Sequence, residues 1–215
     1  ARLGGGVGVV RIDDADRAFP LALGRGGVAS LADLLAAPDP AAVALDLSRG
    51  ADPVPLASLE LLAPVDRQEV WAAGVTYKRS KVAREEESQG AARFYDLVYT
   101  APRPELFLKA TPERVVDPGK PIRVRADSTW NVPEPELTLV VSPDLRIVGY
   151  TVGNDVSSRD IEGENPLYLP QAKVYHGSAA VGPVVTLAAA MRPLPGVEIR
   201  LVIRRGGAVA FDGAT

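Results

Sequence analysis

Short apolar runs interrupted by glycine and proline dominate the chain, and few stretches keep helical spacing for long. Val7 to Ile12 and Phe19 to Leu23 read as short strands. Ser30 is placed to cap the helix "SLADLLAA", with Asp33 three residues later in the position where a capping box carries Glu or Gln. The segment "PDPAAVALDLSRGADPVPLASLELLAPV" then alternates turns with short apolar pieces. Together these predict a small N-terminal α/β domain over 1–65, ending in a linker near Pro64 to Asp66.

From Glu69 the pattern turns strand-rich. "EVWAAGV" predicts a buried strand, and "KRSKVAREEES" a charged helix with Lys81 and Glu85 one turn apart, a helical region that "ARFYDLVYT" extends. "ELFLKA", "PIRVRA", "ELTLVV" and "RIVGYTVG" follow as strands, the last two joined by a turn at Ser142-Pro143-Asp144. "VEIRLVIRR" and "AVAF" flank Gly206-Gly207, a strong hairpin signal. The chain over 66–215 is expected to be a catalytic domain, and the hairpin that breaks off at "FDGAT" predicts that the C-terminal part of that domain is missing here.

Composition narrows the class. The 20 glycines and 19 prolines among 215 residues favour turns and strands over long helices. A net charge of −3 offers no basic footprint for nucleic acid, and no apolar run is long enough to span a bilayer as a helix. With no cysteine, disulfides and thiolate metal sites are excluded. No export signal is read at the start, and the cytoplasm is the expected compartment. The early "GGGVGVV" lacks the preceding strand and following helix of a phosphate loop. His176 is the only histidine, which disfavours a Ser-His-Asp triad and removes any histidine metal cluster.

The remaining chemistry lies in carboxylates and lysines. In "WNVPEPELTLVV", Glu134 and Glu136 flank Pro135 at the mouth of an apolar strand, two apart and therefore on one face. Such a pair is either a solvated strand edge or part of an oxygen site for Mg²⁺ or Mn²⁺. A hairpin turn centred near Pro143 sets Glu136 opposite Val148 to Tyr150 and brings Asp155 beside Glu134. Three carboxylates at one end of one hairpin form a candidate hard-cation site with positions left open for water or substrate.

The pieces "RPELFLKA", "PEPEL", "GNDVSSRD" and "ENPLYLPQAK" together resemble the fumarylacetoacetate hydrolase superfamily, nearest its 2-keto-3-deoxy-D-arabinonate dehydratase branch. The resemblance runs from about Trp71 onward and is densest over Arg103 to Pro183. It implies an α+β, mainly β architecture: a mixed β-roll catalytic domain behind a small N-terminal α/β domain, in dimers or dimer-based assemblies. It also implies Mg²⁺, with Mn²⁺ or Ca²⁺ as alternatives, held by Glu134, Glu136 and Asp155. A small 2-keto acid is the implied substrate, with Glu105 and Lys173 as acid–base residues, Lys109 lining the pocket and Arg159 ordering the carboxylates. Solvated or structural roles for Lys109 and Arg159 stand beside those readings. As a base, Lys173 is expected to have its pKa lowered by desolvation or a nearby cation.

One departure bears on the reaction. Hydrolases of the superfamily carry G-x-N-Y-x-x-H-x-x-E, whereas this chain reads "GVTYKRSKVA", with Thr76, Ser80 and Ala83 replacing Asn, His and Glu. Without the His–Glu pair the usual base for hydrolytic water is missing, which favours dehydration of a 2-keto-3-deoxy sugar acid. A carbon–carbon hydrolase, an oxaloacetate decarboxylase and a non-catalytic metal-binding oligomer are the alternatives.

Overall fold

The computed structural model describes residues 1–74, 101–191 and 196–215. The predicted helical region over "KRSKVAREEES" and "ARFYDLVYT", and the positions Thr76, Ser80 and Ala83, lie outside the described residues.

The chain opens with a small hairpin, β1 (Arg2–Leu3) and β2 (Gly6–Val7), followed by β3 (Val10–Ile12) and β4 (Arg17–Pro20). Helix α1 (Leu31–Ala36) starts where expected, with the Ser30 hydroxyl accepting from Asp33 N–H. Asp33 reaches back to the Ala29 N–H and binds Arg67, so one carboxylate closes the cap and ties it to a residue 34 positions away. Helix α2 (Pro40–Leu47) is a surprise in a segment that reads as turns. Its signals are local: Asp39 caps the Ala42 N–H, and Pro40 occupies the first turn, where its missing N–H costs nothing. β5 (Val54–Pro55) completes a sheet in the order β3-β4-β5, and Leu21, Val28, Leu34, Ala44 and Leu47 form a core beneath it.

Beyond Pro64 the architecture is mainly β. β6 (Val70–Ala73) pairs antiparallel with β7 (Leu106–Ala110). The main sheet runs β10-β11-β13-β8, built from β8 (Val115–Val116), β10 (Pro135–Val141), β11 (Ile147–Asp155) and β13 (Ala179–Leu187). β8 is parallel to β13 and the other pairings are antiparallel, so the sheet is mixed. The short β9 (Asn131–Val132) and β12 (Ser157–Ser158) form a separate pair at the site end. After β12 come helices α3 (Arg159–Glu164) and α4 (Leu169–Lys173), joined by a 3-10 turn at Pro166–Tyr168. β14 (Arg200–Arg205) and β15 (Ala208–Ala214) close on Gly206-Gly207, both at positive φ as a two-residue hairpin requires.

Two expectations change. "PIRVRA" is not a strand: it donates Arg123 N–H to the Gly177 carbonyl but joins no ladder, and Ile122 and Val124 point outward. Instead Val115–Val116 supplies the strand at that edge of the sheet. The β10–β11 register is also displaced, with Glu136 opposite Gly153 rather than Val148 to Tyr150. The turn extends to Arg146, with Leu145 in the left-handed region, and an irregularity follows Val140, so the hairpin centre moves toward Asp144 and Leu145.

Candidate active site

The site is built where β10 begins and β11 ends. Asp155 N–H donates to the Glu134 carbonyl at 2.9 Å, while the Asn154 side-chain oxygen accepts from Glu134 N–H at 3.1 Å. Backbone pairing therefore holds Glu134 and Asp155 side by side. Glu136 lies on the same face, opposite Gly153. A Cβ on Gly153 would come within 2.5 Å of Thr138 Oγ1, so glycine is what lets the Thr138 side chain pack against β11 beside Glu136.

Lys173, the last residue of α4, is 3% exposed and points its ammonium at these carboxylates. Nζ donates to Glu134 Oε2 at 3.0 Å, Asp155 Oδ2 at 2.9 Å and Ser157 Oγ at 2.6 Å. Burial alone would lower its pKa, but Glu134, Asp155 and Glu162 outweigh the desolvation and raise it. This reverses the sequence expectation of a depressed lysine: the neighbouring charges are anionic. Phe107 covers the ammonium, with its ring centroid 5.6 Å from Nζ.

Lys109 lies beneath this pair and is 2% exposed. It contacts Asp155 Oδ1 at 2.6 Å and donates to the carbonyls of Val156 at 2.8 Å and Lys173 at 2.6 Å. Burial lowers its pKa, against the opposing pull of Asp155. Arg159 bonds Glu134 with one terminal nitrogen and Glu162 with the other. Three cations, Lys109, Arg159 and Lys173, thus meet Glu134, Asp155 and Glu162, and Glu136 adds a fourth carboxylate to the neighbourhood.

Glu105 is placed differently. It precedes β7 on the face that also carries Phe107 and Lys109 two and four residues on. Its half-buried side chain rests over Gly74, whose N–H donates to the Glu105 carbonyl at 3.0 Å; any Cβ on Gly74 would strike the carboxylate. Among the described residues no hydrogen bond or ion pair links Glu105 to the Lys173 cluster.

Sequence reasoning passed over Glu162, Ser157 and Ser178. Glu162 was detectable as a carboxylate three residues after Arg159 on a helix. The serines were not, since nothing in composition marks a buried hydroxyl that bonds one lysine. Asp160 serves as a brace: it accepts from Ser128 Oγ, Thr129 N–H and Oγ1, and its own neighbour Ile161 N–H. Burial opposes its ionisation, but these donors prevail and hold its pKa below the usual range. That fixes the loop leading to β9, whose neighbour Trp130 accepts the Arg159 N–H at 2.7 Å.

The donor set suits a hard divalent cation: oxygen ligands only, with Glu134 and Asp155 already gathered round one positive centre, Lys173 Nζ. Asp155 Oδ1 is buried and, though close to Lys109, has no partner in hydrogen-bond geometry. Among the described residues no three of these carboxylates close round a single point: Glu134 and Asp155 turn to Lys173, while Glu136 sits two residues further along β10.

A mixed, mainly β scaffold thus sets buried lysines among carboxylates at the end of its central hairpin, and such clusters of buried charge are candidates for functional sites. The family model described as fumarylacetoacetate (FAA) hydrolase C-terminal matches residues 69–215, and the chain belongs to that family. A probable 2-keto-3-deoxyxylonate dehydratase of Haloferax volcanii is 53% identical over 175 residues, covering 80% of this chain and 60% of the relative. A 2-dehydro-3-deoxy-D-arabinonate dehydratase of Saccharolobus solfataricus is 43% identical over 159 residues, covering 73% and 53%. The chain therefore spans about half to three fifths of these relatives' length. A solved 2-keto-3-deoxy-D-arabinonate dehydratase complexed with magnesium and 2,5-dioxopentanoate superposes with a TM-score of 0.73 at 34% identity, covering 96% of this chain and 71% of that one. Among the described residues no helix is long and apolar enough to cross a membrane.

Proposed function

We propose that this chain carries the catalytic machinery of a Mg²⁺-dependent hydro-lyase that dehydrates a 2-keto-3-deoxy sugar acid, such as 2-keto-3-deoxy-D-arabinonate, to a 2,5-dioxopentanoate. The reading rests on Lys173 Nζ bridging Glu134 and Asp155 in a chain 53% identical to a probable dehydratase. Residues 66–215 are read as the catalytic β-roll domain and 1–65 as a small N-terminal α/β domain, supported by the separate core around Leu34 and Leu47. A dimer-based assembly and a cytoplasmic location complete the proposal.

Glu134, Glu136 and Asp155 are the residues that would hold the ion. When bound, Mg²⁺ supplies Lewis-acid polarisation of the keto-acid oxygens and offsets the charge of its carboxylate ligands. Lys173 carries a proton at Nζ while Glu134 and Asp155 face it. With those carboxylates engaged by a cation, the charges that hold the proton would be offset, and the neutral amine would take the proton from the carbon beside the keto group. Glu105 gives a proton to the hydroxyl leaving the next carbon, which departs as water, and tautomerisation yields the dioxo acid. Arg159 holds the Glu134 carboxylate in place from the side opposite Lys173.

The test incubates the full chain and MgCl₂ with 2-keto-3-deoxypentonates and follows products by ¹³C NMR. Formation of 2,5-dioxopentanoate without carbon–carbon cleavage is expected. Release of pyruvate and a two-carbon aldehyde, or no turnover of any isomer, overturns the assignment. A Lys173→Ala variant that still binds Mg²⁺ is expected to lose turnover, and retained turnover would remove Lys173 from the role of base.

A further inference from the structure

Lys109 is the most deeply enclosed charged group of the cluster, and its surroundings assign it a task distinct from contacting substrate. An ammonium has three protons. Here Nζ donates to the Val156 carbonyl at 2.8 Å and the Lys173 carbonyl at 2.6 Å, and it forms an ion pair with Asp155 Oδ1 at 2.6 Å. Each belongs to a different part of the reacting cluster. Asp155 ends β11, Val156 is the single residue between β11 and β12, and Lys173 closes α4. A single side chain from β7 therefore joins the strand end and the helix end that present the Asp155 carboxylate and the Lys173 amine to each other.

The anchoring continues on the far side. Ser178 Oγ, itself fully buried, donates to the same Lys173 carbonyl at 2.7 Å, and the Ser178 carbonyl accepts the Val156 N–H at 3.0 Å. Lys109 and Ser178 thus grip the same two residues, Val156 and Lys173.

We propose that Lys109 is a positioning residue: it fixes the separation of Asp155 and Lys173 through both backbones and does not bind substrate. This rests on the dehydratase reading only for its kinetic arm. Groups that orient metal ligands from behind commonly change affinity or rate by about 10–100-fold when removed. The experiment compares Lys109→Met and Ser178→Ala with the wild-type full chain. Mg²⁺ affinity is measured by calorimetry, and kcat and KM with a 2-keto-3-deoxypentonate.

For Lys109→Met, kcat is expected to fall at least about tenfold with KM within about twofold, the pattern of a lost transition-state arrangement. Mg²⁺ affinity is expected to fall as well, although deleting a neighbouring positive charge would by itself strengthen binding of a cation. A raised KM with kcat preserved would make Lys109 a substrate ligand and overturn the proposal, as would unchanged or tighter Mg²⁺ binding. Should the Met variant not fold, Ser178→Ala decides, since it removes no charge and only one hydroxyl, which the Lys173 and Tyr175 carbonyls share. A drop in kcat of about threefold at constant KM supports the grip on α4, and wild-type kcat overturns it. If the wild-type protein dehydrates no sugar acid, the functional reading fails alone, and the Mg²⁺ titrations still test Lys109.

Discussion

Arg159 reaches Glu134 with one terminal nitrogen and Glu162 with the other, from a side chain only 8% exposed. The carboxylates it joins are also largely shielded, at 18% and 12%. Removing the cation would leave two neighbouring carboxylates short of a counter-charge in a low-dielectric pocket. Arg159→Leu is therefore expected to cost about 3 kcal/mol or more in urea unfolding, the usual penalty for breaking a shielded ion pair from one side. Glu162→Gln keeps the shape and a hydrogen-bond acceptor and still leaves Arg159 facing Glu134, so a loss of about 1 kcal/mol is expected. Equal losses from the two variants would show that the charges act singly and not as a chain. Glu134 and Asp155 could be picked out from residues alone because one hairpin carries both, and hairpin pairing is local. The Arg159–Glu162 spacing is just as local, but the link from Arg159 to Glu134 was not legible, since it depends on the guanidinium folding back to a residue 25 positions earlier at the mouth of β10.

Helices and strands differ in how far their signals reach. α1 is written into seven residues: the Ser30 cap, the Asp33 return bond and the buried pair Leu34 and Leu35. Ser30→Ala should therefore lower stability by about 1 kcal/mol, read as a shift in urea midpoint at constant slope. An unchanged midpoint would mean that Arg67, which also binds Asp33, holds the helix start without the hydroxyl. β10 and β11 were legible for the same reason of locality, though a longer turn shifted their register. β13 was not, because Gly182 and Pro183 interrupt its apolar run at the point where its pairing with β11 is irregular. Gly182 has φ +136°, and a Cβ there would lie 3.1 Å from Pro64, so the break in the pattern is a packing requirement between distant segments. "PIRVRA" shows the converse, strand composition without a neighbouring strand to complete a ladder.

Across the whole molecule, surface carboxylates tie together segments that lie far apart in sequence. Asp33 joins α1 to Arg67, Glu60 joins Lys120, and Asp144 holds Arg146 while that guanidinium donates to the Ala37 and Pro38 carbonyls. In each case the carboxyl pKa is lowered, and for Asp144 it falls from 3.8 to about 2, through hydrogen bonds from Arg146 and then Ser142. A carboxyl with a lower pKa in the fold binds fewer protons there than in the unfolded chain. Its stabilising effect is thus complete above the unfolded value and disappears as pH falls through the folded one. The urea midpoint should accordingly lose no contribution from these groups down to about pH 5 and then decline steadily between pH 4 and 2. Because the pairs are exposed, added salt should make that decline shallower. Asp144→Asn is the sharper probe: it removes one titrating link while leaving the Gly153, Glu136 and Asp155 end of the hairpin untouched. Its midpoint should lie below wild type at pH 6 and converge with it near pH 2. Parallel curves across that range would place the acid sensitivity elsewhere, in the carboxylates around Lys173.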